Sequence, residues 1–445
     1  MNVRATHAGP TANRSARAST AIAAVSIVNR LSRALGRGSG TVAGGRAGLL
    51  LDPGLLATLA AGRRVALVTG TNGKTTTTRL LAAALTGPAG DDLPVSNDTG
   101  ANMPAGHVAA LAAAPVDRVA VLEVDEGYLG RLITEAAPDV VVLLNLSRDQ
   151  LDRIAEVRML ADRWRTSLAA LARPTPGAGG TVVVANADDP MVAFAAATAP
   201  EVTWVGAGQV WHDDAVGCPA CGGRIGFTDG GGWACDACDF ARPDVAAQVD
   251  GFDLVLADGS RHAIRIGLPG QFNRANAAMA AVAAAPILEA IGQADPSRAV
   301  VTALGRMGGV TEVAGRFSTV SRSGRMVRLL LAKNPAGWTA IFDLLDETGD
   351  PEAEVVLSVN ARTADGFDTS WLWDVPFERL VGRSVVATGD RRLDLAVRLR
   401  YAGVEHGVVD GPVAALDHAL AASTPGTTTE FLGNYTAFAD LRRAL

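Results

Sequence analysis

The run Gly70-Thr71-Asn72-Gly73-Lys74-Thr75-Thr76 carries the residue types that hold a polyphosphate. Before it, Val65-Ala66-Leu67-Val68 reads as a buried parallel strand, and after it Leu80 to Leu85 reads as an Ala/Leu-rich helix. A Gly-containing turn at such a junction aims backbone N–H groups and a helix N-terminus at an anion. Lys74 would set its ammonium on the β- and γ-phosphates, and Thr75 its hydroxyl on Mg²⁺. The position five before Gly73 is Val68, not Gly, so the common P-loop is matched only by Gly70, Gly73 and Lys74-Thr75. The competing reading is an ordinary Gly turn. Among 40 Lys plus Arg, Lys occurs only at 74 and 333. The Ala-, Arg-, Gly- and Val-rich composition suggests a GC-rich genome in which Arg serves wherever a positive charge is enough. Lys74 is therefore read as a compact ammonium fitted to a tight cradle.

A second constellation is metal-binding. The four Cys form Cys218-Pro219-Ala220-Cys221 and Cys235-Asp236-Ala237-Cys238, with thirteen residues between the pairs. Two C-x-x-C knuckles suit a tetrahedral Cys₄ zinc ribbon, and four protein ligands leave no open position, so the metal is structural. Two disulfides or a redox pair fit this spacing poorly. With no Cys outside the knuckles, the chain has no free thiol nucleophile.

The elements that must position these groups alternate. Val119–Val124, Asp139–Asn145 and Thr181–Asn186 read as strands with helical stretches between them, which predicts an α/β fold with a doubly wound parallel sheet. Ligands of such sheets sit at strand carboxyl ends. Lys74, Glu123, Asn145, Asn186, Asp188 and Asp189 fall there. Glu123 interrupts an apolar strand end and reads with Thr75 as a Mg²⁺ oxygen ligand, or alternatively as a surface carboxylate. Three parts are expected: a basic N-terminal segment or helix at 1–50, a phosphate-binding domain at 51–315 with the ribbon inserted at 206–250, and a smaller α/β domain at 316–445.

Composition bounds the rest. At 445 residues, 48% hydrophobic, with net charge −6 and pI about 5.6, the chain can bury sizeable cores and has no global pull toward nucleic acid. Its apolar runs are too short to span a membrane, and its Cys pattern suits a reducing compartment. Residues 1–51 hold seven Arg and no Asp or Glu. Within them Ala21 to Leu35 reads as a helix with an apolar face. The segment is either a basic approach to anionic lipid or a disordered start followed by a docking helix.

Gly-Thr-Asn-Gly-Lys-Thr, Glu123, Asn145 through Asp152, Phe272-Asn273-x-x-Asn276 and Gly315-Arg316, in this order, resemble the Mur ligase family. The inserted ribbon, Leu331-Ala332-Lys333-Asn334-Pro335-Ala336-Gly337, and Ala364-Asp365-Gly366-Phe367-Asp368-Thr369-Ser370-Trp371-Leu372-Trp373-Asp374 resemble its MurT branch. The resemblance spans roughly residues 50–440. It implies an ATP-dependent amide ligase of peptidoglycan biosynthesis that phosphorylates the α-carboxyl of D-glutamate in the lipid II stem peptide. Ammonia from a separate GatD-like class I glutamine amidotransferase subunit would then attack, leaving D-isoglutamine. ATP, Mg²⁺ and structural Zn²⁺ are the implied cofactors. The implied location is the cytoplasm, peripheral to the inner face of the membrane. Gly70 to Thr76 would hold the phosphates, with Lys74 and Glu123 serving the ligase chemistry. Phe272, Asn273 and Asn276 match the family's adenine site, and Arg316 its nucleotide-binding Arg. Asp368 matches the Asp taken to complete the partner's Cys–His pair, with Asp365 and Asp374 as competitors. Two departures stand out. Gln150-Leu151-Asp152 replaces His-Leu-Asp, and no Lys lies between 74 and 333 to be carbamylated as a metal bridge. The rival readings are a folylpolyglutamate synthetase-like ligase and a nucleotide-binding scaffold.

Overall fold

The computed structural model describes residues 15–445 except 36–40, 88–89, 91, 98–100, 149–156, 174–179, 210, 229–230, 314–316, 349 and 425. The strands, in chain order, are β1 (Val65–Thr69), β2 (Val95–Ser96), β3 (Ala120–Glu123), β4 (Val140–Leu143), β5 (Val182–Asn186), β6 (Val202–Gly206), β7 (Ile225–Phe227), β8 (Trp233–Cys235), β9 (Ala247–Asp250), β10 (Asp253–Leu256), β11 (Arg261–Ala263), β12 (Phe317–Arg322), β13 (Arg325–Leu331), β14 (Val355–Ser358), β15 (Val385–Thr388), β16 (His406–Val408) and β17 (Thr428–Gly433).

The first lobe is built on a nine-stranded sheet in the order β11-β10-β9-β6-β5-β4-β1-β3-β2. From β2 to β9 the pairing is parallel. β1 sits between β3 and β4, so the chain changes winding direction there, and a crevice opens at its carboxyl end. All five β1 residues are buried. Val65 and Leu67 pack into one layer with Leu55, Leu56 and Val108. Ala66 and Val68 pack into the other with Leu80, Leu81 and the Ala-rich helix Gln271–Ala290. A strand covered on both faces must read as an unbroken apolar run, which is why its periodicity is invisible in the sequence.

Two features differ from the sequence reading. The sheet is mixed, because β9, β10 and β11 form an antiparallel edge. Only two residues, Gly251 and Phe252, connect β9 to β10, and so short a link can only reverse the chain. The segment 206–250 is also not all ribbon: β7 and β8 make a small separate sheet, whereas β9 returns to the main one beside β6. At the N-terminus the helix Ala16–Ala34 begins five residues before the expected Ala21. The Ser15 side chain caps it by accepting the Ala18 N–H at 3.1 Å. It packs beside Thr41–Leu51 and sends Ala18, Ala21 and Val25 into the first lobe's core.

The second lobe is a six-stranded sheet in the order β12-β13-β17-β14-β15-β16, parallel except for the β12–β13 hairpin. One face covers Trp338, Phe342 and Phe377, whose rings meet with centroids 5.7–6.1 Å apart. Among the described residues, no helix is long and apolar enough to cross a membrane.

Candidate nucleotide and metal sites

The phosphate-type loop leaves β1 and enters the helix Lys74–Leu85. Gly73 is its N-cap with φ +85°, a left-handed conformation that costs glycine little. A Cβ added there would lie 2.6 Å from Asn276 Oδ1, so the loop touches the helix Gln271–Ala290 with no room to spare. The turn is tied to the loop after β4. The Asn72 N–H donates to Asn145 Oδ1 at 2.8 Å, and Asn145 Nδ2 donates back to the Asn72 carbonyl at 3.1 Å. The Thr71 hydroxyl donates to the Ser147 carbonyl and accepts the Ser147 N–H, both at 3.0 Å. That hydroxyl thus braces the loop rather than facing a ligand. Behind this brace Asp189, fully buried, accepts the Leu146 N–H, and burial pushes its carboxyl up to about 6.

Lys74 is buried. Its ammonium donates to the Gly70 carbonyl at 2.6 Å, the Thr71 carbonyl at 3.2 Å and Glu126 Oε2 at 3.1 Å. The Thr75 hydroxyl donates to Glu123 Oε2 at 2.7 Å. Glu123 is 5% exposed, which excludes a surface carboxylate. Its backbone is clamped: its N–H donates to Asn97 Oδ1 at 2.8 Å, and its carbonyl accepts Asn97 Nδ2 at 2.8 Å and His107 Nε2 at 2.7 Å. His107 must carry its proton on Nε2 to make that bond, and burial lowers its pKa. The sequence reading missed Glu126, Asn97 and His107. Glu126 lies three residues past a strand end already singled out, a signal that was available. Asn97 and His107 act through the backbone of Glu123, which no motif encodes.

A cavity of about 500 Å³ opens between the lobes, a size that suits a small-molecule site. Asn72, Gly73, Thr76, Phe272, Asn273 and Asn276 line it from the first lobe, and Leu330, Leu331 and Ile341 from the second. Asn273 Nδ2 donates to the Pro269 carbonyl at 2.6 Å, and Gly270 is the helix N-cap. Phe272 lines the cavity and also packs on the second lobe's core. Lys74, Thr75 and Glu123 stand beside this lining. Gly315, Arg316 and Gln150-Leu151-Asp152 lie outside the described residues.

The four Cys do converge. Their Sγ atoms all lie within 4.8 Å of one another, with Cys221–Cys235 at 3.5 Å and Cys218–Cys238 at 3.8 Å. Zn–S bonds of about 2.3 Å in a tetrahedron require S···S separations near ~3.8 Å, so the donor set fits Zn²⁺. The knuckle turns aim backbone N–H groups at sulfur: Gly223 at Cys221 and Ala237 at Cys235, both 3.3 Å. The Ala237 N–H draws the Cys235 thiol down to about 7. The ribbon is anchored to the first lobe. The Trp233 indole donates to the Ala187 carbonyl at 2.9 Å, and Arg242 pairs with Asp188 at 2.6 Å.

In the second lobe the three acids named from sequence separate. Asp365 is buried and accepts the Thr436 N–H at 2.9 Å and the Thr436 hydroxyl. Asp374 pairs with Arg148 of the first lobe at 3.5 Å. Asp368 is exposed, and the Ser370 N–H at 2.8 Å holds its carboxyl below the usual carboxylate range.

Comparison with known proteins places this architecture. MurF from Acinetobacter baumannii superposes with a TM-score of 0.59 at 16% identity, over 89% of this chain and 80% of its own. The Mycobacterium tuberculosis folylpolyglutamate synthase complexed with ADP gives 0.54 at 18% identity, over 97% and 95%. The fold is that of Mur-type ligases. In sequence, residues 68–215 match the Mur ligase middle domain and 331–438 the MurT ligase C-terminal. The MurT subunit of lipid II isoglutaminyl synthase (glutamine-hydrolyzing) from Streptococcus pneumoniae (strain ATCC BAA-255 / R6) is 33% identical over 402 residues, covering 83% of each chain. That from Staphylococcus aureus (strain COL) is 29% identical over 413 residues, covering 88% of this chain and 89% of its own. The chain belongs to the MurT family, with a Mur ligase-type role in peptidoglycan synthesis.

Proposed function

We propose that this chain is the ligase subunit of a lipid II isoglutaminyl synthase. ATP binds in the cavity between the lobes, with its phosphates on the loop Gly70–Thr76 and its base near Phe272 and Asn276. Arg316 is proposed to reach the nucleotide as well. The α-carboxylate of the stem-peptide D-glutamate attacks the γ-phosphorus, ADP leaves, and an acyl phosphate remains. Ammonia then attacks the acyl carbon, inorganic phosphate leaves, and a proton is lost to give D-isoglutamine. Lys74 binds and neutralises phosphate charge, and phosphoryl transfer depends mainly on such positioning. Thr75 and Glu123 offer hard oxygens where Mg²⁺ would sit. Four Cys thiolates hold a structural Zn²⁺.

The observation that carries this reading is the set of buried Lys74 and Glu123 with half-buried Thr75 beside an interlobe cavity, in a chain whose MurT-type likeness spans both lobes. Glutamine hydrolysis belongs to a GatD-like partner, because this chain keeps all four Cys in the ribbon. Asp368 is the residue offered to that partner's His. Its surroundings support an interface. On the helix Arg392–Tyr401, Leu393, Val397 and Tyr401 fall one turn apart and are all exposed, and Trp373 meets Tyr401 edge to face at 5.3 Å. The deciding experiment is co-expression with a class I glutaminase encoded nearby, followed by mass spectrometry of lipid II incubated with ATP and glutamine. Amide in place of acid on D-glutamate is expected. ATP turnover indifferent to any muropeptide would instead indicate a nucleotide-binding scaffold.

A further inference from the structure

The N-terminal helices carry a surface that the ligase reaction does not use. The helix Ala16–Ala34 buries Ala18, Ala21 and Val25 against the first lobe. A surface helix ordinarily turns polar residues outward on the opposite side. Here that side presents Ile27, 57% exposed, and Leu31, 56% exposed, one turn apart, followed by Leu35 at the C-cap, 68% exposed. Arg17, Arg30 and Arg33 are exposed on the same helix. The neighbouring helix Thr41–Leu51 repeats the pattern, with Gly44, Gly45 and Gly48 packed inward while Arg46 and, one turn on, Leu50 at 84% exposed face outward.

Charge tells what covers this face. Residues 1–51 carry seven Arg and no acid, although the whole chain is −6, so the rest of it carries −13. A second copy meeting the same face would set Arg against Arg, and such like-charge contacts are costly. A free anion would satisfy the arginines and leave Ile27, Leu31 and Leu50 in water. An anionic membrane surface satisfies both, since its headgroups take the Arg and its acyl boundary takes the apolar stripe. We propose that the outward faces of these two helices dock the protein onto an anionic lipid bilayer. The surface deepens the reading of a lipid-borne substrate but rests on its own residues. The acidic remainder of the molecule is repelled from the bilayer, which fixes the orientation.

The test is sedimentation of the full chain with vesicles that contain no lipid II, so that its failure is separate from failure of the amidation assay. Binding is expected to vesicles of phosphatidylglycerol mixed with phosphatidylcholine, weakening as salt rises, and not to phosphatidylcholine alone. Arg30→Gln with Arg33→Gln should weaken binding about 25-fold, from about fivefold per arginine near an anionic surface. Ile27→Glu with Leu31→Glu should abolish it. Both variants should keep the wild-type melting temperature and ATP hydrolysis in solution, since all four side chains sit outside the core and the cavity. Wild-type binding by either double variant would overturn the proposal, as would no binding of the wild type to phosphatidylglycerol vesicles. A wild-type dimer broken to monomers by Ile27→Glu with Leu31→Glu would assign the face to a second copy and overturn it too.

Discussion

The two lobes share a plan, a largely parallel α/β sheet with an acid at a strand's carboxyl end or in the loop after it, yet they treat that acid in opposite ways. Glu123 ends β3 inside the molecule, with its carboxylate on Thr75 and its backbone clamped by Asn97 and His107. Asp368 follows β14 at the surface, its carboxylate shaped by the Ser370 N–H and turned to solvent. An acid that works within its own chain is enclosed by that chain. On the partner-facing role proposed above, Asp368 is an acid pre-set by its backbone and left open to another protein. Asp365, three residues before Asp368, marks the third case: burial against Thr436 makes it part of the scaffold.

On the proposed function, this contrast can be broken experimentally. Asp368→Asn keeps shape and removes charge. A comparable change in a Ser-His-Asp triad costs roughly 10⁴ in rate, so glutamine-driven amidation should fall about that far while amidation from free ammonia stays near normal. Loss of both reactions would move Asp368 into the ligase centre, and loss of neither would erase the contrast. Lys74→Ala should act the other way, lowering both reactions together by about 10²–10³, the usual effect of removing one group that stabilises transferring charge. Wild-type ATP turnover in that variant would refute its role.

The ribbon and the surface acids give smaller effects that sharpen the picture. Metal analysis should give one zinc per wild-type chain and none for Cys235→Ser, whose melting temperature should fall by roughly 5 °C or more. ATP affinity should change far less, because the ribbon is built apart from Lys74 and Thr75. A stable, metal-free wild type would rule the site out. Asp374→Asn should change both amidation rates by less than about twofold, because its ion pair with Arg148 is long and more than a third exposed on each side. A collapse of the glutamine reaction in this variant would transfer the partner-facing role from Asp368 to Asp374.

Much of this was legible in the sequence. The Val65–Thr69 strand, the Gly70–Thr76 turn and the two Cys knuckles are local patterns, and local patterns survive the absence of coordinates. The antiparallel edge was hidden because β9, β10 and β11 are three or four residues long, too short to show alternation. The clamp on Glu123 was hidden for another reason. Asn97 and His107 reach it from 26 and 16 residues away, and they bond to its backbone, which every residue has. The ammonium of Lys74 donates to two loop carbonyls and Glu126, acceptors that a phosphate-loop motif does not name.

The first turns of the helix Gln271–Ala290 belong to both lobes. Phe272 packs into the second lobe's core, Arg274 makes a two-pronged pair with Glu347 there, and Asn276 fills the space that a side chain at position 73 would need. The lobes are therefore not interchangeable parts. A chimera that grafts another ligase's second lobe at the junction near 316 would leave Phe272 and Arg274 facing the wrong neighbours, and the misfit would reach Gly73 through one turn of helix. Recombination at this boundary has to carry those two residues with the lobe they serve, although they lie some forty residues upstream in the chain.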